Sequence, residues 1–79
     1  MNAITSERIQ IARVARGWSR ERLASESGLS YGSVIAWESR GSAPSAESIV
    51  ALARALGVSS DYLLGLTDDM SPAAQTAET

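Results

Sequence analysis

Between Ser19 and Glu38 the chain has room for two helices of about two turns each, with only Gly28-Leu29-Ser30 to join them. A connection this short makes the second helix cross the first steeply. Gly28 supplies the left-handed backbone such a turn needs, and Ala24 is small where the two helices approach most closely. Leu23, Ala24, Val34 and Trp37 recur at helical spacing and can pack between the helices, with Leu29 as a plug beneath the turn.

The rest of the chain is punctuated in the same way. A first helix is expected from about Ser6 to Arg16, capped by Thr5 or Ser6 and stopped at Gly17. Its inward stripe, Ile9, Ala12, Arg13 and Arg16, is thin and carries charge. Ser19 caps the second helix and Ser30 the third, which runs to Glu38 or Ser39. After the polar loop Arg40-Gly41-Ser42-Ala43-Pro44, Ser45 caps a fourth helix, Ala46 to Leu56, with the clean stripe Ile49, Leu52, Ala53 and Leu56. Ser59 caps a short fifth helix that Gly65 ends. The fold class is therefore all-α: one five-helix domain over residues 1–66, followed by an acidic, disordered tail over 67–79.

Composition narrows the function. Seventy-nine residues make one small domain, which buries only about 60–65% of its unfolded surface and often gains stability by pairing with a second copy. There is no cysteine and no histidine, so thiolate or imidazole metal sites and the commonest general base are missing. With no glycine-rich phosphate loop and no carboxylate pair set in a cleft, no catalytic residues, metal or small-molecule cofactor are expected, and an enzyme is disfavoured. Arg13, Arg16 and Arg54 interrupt every apolar stretch, so no membrane partner is expected and the protein is read as cytoplasmic. The net charge of −2 is unevenly spread: residues 1–40 hold six arginines against four acids, whereas 67–79 hold three acids and no base. The local face, rather than the sum, decides whether a polyanion can approach.

This succession, Ser19–Glu38 followed by Ser45–Leu56, Ala-Leu-Gly-Val-Ser and Asp-Tyr-Leu-Leu-Gly, resembles the lambda-repressor-like helix-turn-helix family over roughly residues 6–66. The resemblance implies a regulator of transcription, such as a repressor, that binds double-stranded operator DNA. It places the helix beginning at Ser30 in the major groove. Tyr31, Gly32, Ser33 and Ala36 match the family's base-facing positions, and Ser19, Arg20, Ser30, Arg40 and Ser42 match positions that meet phosphate. Arg20 stands where a glutamine is common. Arg13 and Glu38 match an arginine–glutamate pair that fixes the recognition helix to the scaffold. Pairing through the last helix is also implied, and Val58, Tyr62, Leu63, Leu64 and Leu66 offer the apolar surface for a homodimer.

Plainer readings stand beside these. Trp37 and Trp18 are packing residues before they are base platforms. Tyr31 and Ile35 form one apolar edge, suited either to thymine methyls or to a protein. Gly32 suits close approach to DNA or is a harmless small residue near a helix end. Arg8, Arg16 and Arg22 read as solvated charges. The competing function is a protein-interaction module of the same fold, such as an antitoxin or an anti-repressor partner.

Overall fold

Four serines and three glycines set most of the helix ends in the computed structural model, which describes residues 3–72. The helices are α1 (Ala3–Ala15), α2 (Arg20–Ser27), α3 (Tyr31–Ser39), α4 (Ala46–Leu56) and α5 (Ser60–Leu64). Ser19, Ser30, Ser45 and Ser59 each accept a hydrogen bond from the backbone N–H three residues on, which satisfies a donor the helix itself cannot. Gly28 closes α2 at φ 75°, a conformation that would strain other residues. At Gly57, φ is 71° and the Arg16 guanidinium lies where a Cβ would stand, so glycine is needed there for space as well.

Helix α1 starts earlier than its composition suggests. Thr5 is no cap but a buried residue inside the helix, and its hydroxyl has no partner among the described residues. The anchor is Ile4, whose side chain fills the space beside Gly65 at the end of α5. Burying an apolar group there favours another helical turn over an early cap.

The core takes Ile9 and Ala12 from α1, Leu23 and Ala24 from α2, Val34 and Trp37 from α3, and all four residues of the α4 stripe. Helix α5 completes it with Tyr62 and Leu63, and Val58 joins from the α4–α5 connection. Trp18 and Leu29 pack against its edge. Helix α1 touches α3, α4 and α5, so it is the post on which the helix-turn-helix unit and the C-terminal pair are both mounted.

Two expectations need correction. Arg8 and Arg16 are structural. Arg16 donates to the Leu56 carbonyl (2.8 Å) and stacks on Trp18, whose other neighbour is the Arg22 guanidinium. Arg8 lies over the Tyr62 ring, 4.4 Å from its centroid, and donates to the carbonyls of Tyr62 and Thr67 and to Asp68. The second correction follows from the first: the chain beyond residue 66 does not leave the domain at once. Arg8 holds Thr67 and Asp68, the Met70 carbonyl accepts from the Ser59 N–H (3.3 Å), and the Met70 side chain rests on the core. Composition hid this, because the anchors are backbone carbonyls. Residues 73–79 of the expected tail lie outside the described residues.

The clasp makes a prediction. Arg8 has a side chain only 14% exposed, whereas Asp68 is 98% exposed, so the ion pair itself contributes little. The bonds from the guanidinium to carbonyls carry the effect, and bonds to charged groups are each worth about 1.5–3 kcal/mol. Arg8→Ala should therefore lower stability by about 2 kcal/mol in a urea melt, while Asp68→Ala leaves it unchanged within error. Equal losses for the two variants would show that the ion pair, not the carbonyl clasp, holds the segment.

Candidate nucleic-acid interface

Helix α3 presents two faces. Val34 and Trp37 point into the core, while Tyr31 and Gly32 are exposed in its first turn and Ser33, Ile35 and Ala36 are half-buried. The Ser30 hydroxyl accepts from the Ser33 N–H (3.1 Å) and donates to the Ser33 hydroxyl (2.8 Å). Ser33 is thereby held in place with its own hydroxyl proton free to donate outward. A Cβ on Gly32 would meet nothing within 4 Å, and its φ is not positive. Nothing inside the described chain requires glycine at that position.

The end of α3 is bonded most strongly. The Glu38 side chain is wholly buried, with 0% exposure, and accepts three N–H bonds. Arg13 approaches in fork geometry, Nε to Oε2 at 2.8 Å and Nη2 to Oε1 at 3.0 Å. Its remaining nitrogen, Nη1, donates to the Trp18 carbonyl (2.7 Å) and so fixes the α1–α2 connection. The third donor is Arg20, Nε to Oε1 at 3.1 Å. One carboxylate thus ties α1, the N-terminus of α2 and the C-terminus of α3 to a single point.

Arg20 was expected to meet phosphate, and its side chain is in part committed to Glu38. It remains 38% exposed, and its two terminal nitrogens bond to nothing among the described residues. Those nitrogens, next to the exposed Ser19 cap, still offer donors outward. On the other side of α3 the Arg40 and Ser42 N–H groups both donate to the Ala36 carbonyl, at 3.0 and 3.2 Å. The loop therefore folds back against the helix end, which leaves Ser42 only its hydroxyl and holds Arg40 beside α3. Of the seven arginine side chains, those of Arg40 and Arg54 bond to nothing among the described residues. Most of the arginines of residues 1–40 are thus tied into bonds within the fold, although Arg16 and Arg22 stay exposed.

The expected pairing surface is also altered. Val58, Tyr62 and Leu63 are buried in the chain's own core, because α5 packs on α1 and α4; only Leu64 and Leu66 are exposed. A five-residue helix is too short for periodicity to define which side faces inward.

These elements, two short helices at a tight turn with the second locked from behind and exposed in front, are those of a helix-turn-helix protein. A sequence model described as Helix-turn-helix matches residues 9–63, and the chain belongs to that family, with the lambda-repressor-like arrangement of five helices. Among curated proteins it is similar to the uncharacterized HTH-type transcriptional regulator YobD of Bacillus subtilis (strain 168), 38% identical over 66 residues. That match covers 84% of this chain and 59% of the relative's length. Among the described residues, no helix is long and apolar enough to cross a membrane.

Proposed function

We propose that this chain binds double-stranded operator DNA through α3 and regulates transcription, as a repressor that occludes its site. The observation that carries this reading is the first turn of α3, with Tyr31 and Gly32 exposed and Ser33 half-buried, projecting from a helix whose far end is fixed by the buried Glu38 bridge. Preorganised side chains at the N-terminal end of such a helix are what base reading in the major groove requires. Open space at Gly32 lets the backbone come close to DNA. Family membership and the regulator description of the relative support the same reading. Tyr31, Ser33 and Ala36 offer a ring, a hydroxyl and a methyl, so readout leans on thymine methyls, water-mediated contacts and groove shape. The outward nitrogens of Arg20, together with Arg40, Ser19, Ser30 and Ser42, meet phosphate.

Selection of bound duplexes from a random pool at low salt, followed by titration of the winner, tests this. Arg40→Ala should weaken binding to all sequences alike and flatten the slope of log affinity against log salt by about 0.9. Tyr31→Ala should cost the selected sequence about 1–3 kcal/mol and random DNA much less. A pool that yields no enriched sequence removes the proposal. The scarcity of free cations around α3 is the observation that favours the second reading, a protein-interaction module such as an antitoxin or an anti-repressor partner. In that case Tyr31→Ala would weaken a protein complex and leave DNA titrations flat.

A further inference from the structure

The outer side of α3 holds no residue suited to reading hydrogen-bond patterns. Val34, Trp37 and Glu38 fill the inner side, which leaves Tyr31, Gly32, Ile35, Ala36 and Ser39 on the opposite arc of the helix. Their exposures agree: Tyr31, Gly32 and Ser39 are exposed, and Ile35 and Ala36 are half-buried. The bidentate contacts that carry most base discrimination come from Arg, Lys, Asn, Gln, Asp or Glu. Within α3 the one residue of these types is Glu38, and its side chain is 0% exposed beneath two guanidiniums. What the arc offers is apolar. Ile35 stands one turn after Tyr31, so ring and branched side chain adjoin, with the Ala36 methyl beside them. Ile35 lies outside the core cluster, so the packing of the core does not call for isoleucine there.

We infer that Ile35, together with Tyr31, is the specificity-determining contact of α3, and that the feature it selects is the C5 methyl group of a pyrimidine. The inference rests on the proposed binding of DNA by this helix and names what the helix reads there. The major-groove edge of a base pair carries donors, acceptors and, on thymine, a methyl group, which is its one apolar feature. An apolar arc gains by covering that methyl. It gains nothing from the donors and acceptors, whose water it would remove without replacing the hydrogen bonds. Gly32 lies one turn before Ile35 and Ala36, and the space where its Cβ would stand is open, so no side chain there keeps a base edge away. Cytosine lacks the methyl, and 5-methylcytosine carries it on a different pattern of donors and acceptors. The arc therefore groups thymine with 5-methylcytosine against uracil and cytosine, and binding responds to cytosine methylation within the site.

Base analogues test this, because uracil in place of thymine removes the methyl and keeps the O4 acceptor and the pairing. In the sequence selected from the random pool, thymines are changed to uracil one at a time and each duplex is titrated. At one or more positions uracil should weaken binding by about fourfold, the factor for one apolar carbon returned to water. At the same positions 5-methylcytosine paired with guanine should bind more tightly than cytosine, by a similar factor. For Ile35→Ala the ratio of thymine to uracil affinities should shrink toward one. That ratio compares two duplexes on one protein sample, so any loss of folded molecules cancels. Ser39→Ala, on the same arc, should keep the wild-type ratio. A selected sequence without A·T pairs, uracil duplexes that bind as well as thymine ones, or an Ile35→Ala ratio equal to that of wild type would each overturn the inference and leave DNA binding standing. A pool that yields no enriched sequence removes both.

Discussion

Glu38→Ala should lower the unfolding free energy by about 3–5 kcal/mol, the cost of stranding charge in a buried site. Two guanidiniums converge on that carboxylate, and the Arg13 side chain is only 11% exposed, so its charge has little water to turn to. Small domains hold roughly 5–15 kcal/mol in total, and this one belongs near the low end. A large fraction of Glu38→Ala molecules should therefore be unfolded at 37 °C, and the urea midpoint should fall with little change in slope. Arg20→Ala is the milder variant, since Arg20 is 38% exposed and Arg13 still pairs with Glu38. The informative control is the double change Arg13→Met with Glu38→Leu, which removes both buried charges together. Apolar replacement of a whole buried pair is often neutral or stabilising, so the double variant should recover most of the loss. It should not recover selective DNA binding, because Arg20 then loses its anchor and the α2 N-terminus its tie to α3. A Glu38→Ala protein that melts like wild type would show that the bridge does not hold this fold.

What the sequence made legible follows the range of the interactions. Helices α2 to α5 could be bounded because their signals are local: a serine hydroxyl reaching three residues ahead, or a glycine taking the left-handed turn. The link between Arg13 and Glu38 came from family resemblance. No local rule could show that the first residue of α2 lies beside the end of α3, so Arg20 was read as a phosphate ligand alone. Arg8 is the clearest case, since its partners Tyr62, Thr67 and Asp68 lie 54, 59 and 60 residues away. Two of those three partners are backbone carbonyls, which leave no mark in side-chain chemistry.

The fifth helix gives the other large effect, because it decides between two surfaces that the sequence could not separate. Leu63 and Leu66 lie three residues apart and share the same apolar chemistry, yet Leu63 is 0% exposed and Leu66 is 72% exposed. Leu63→Ala should leave a cavity among Ile9, Tyr62 and the rest of the core, costing about 2–5 kcal/mol according to how far the site collapses. For a domain of this length each kcal/mol moves the melting temperature by about 4–8 °C, so the midpoint should drop by at least about 8 °C. Leu66→Ser changes a side chain already in water and should stay within about 0.5 kcal/mol of wild type. Thermal melts of both variants, followed by sedimentation of whichever remain folded, give the comparison. If Leu66→Ser also melts early, the segment after α5 is packed more tightly than its exposure indicates. If Leu63→Ala melts like wild type and instead abolishes self-association, Leu63 is an interface residue and α5 does not pack on α1 as described.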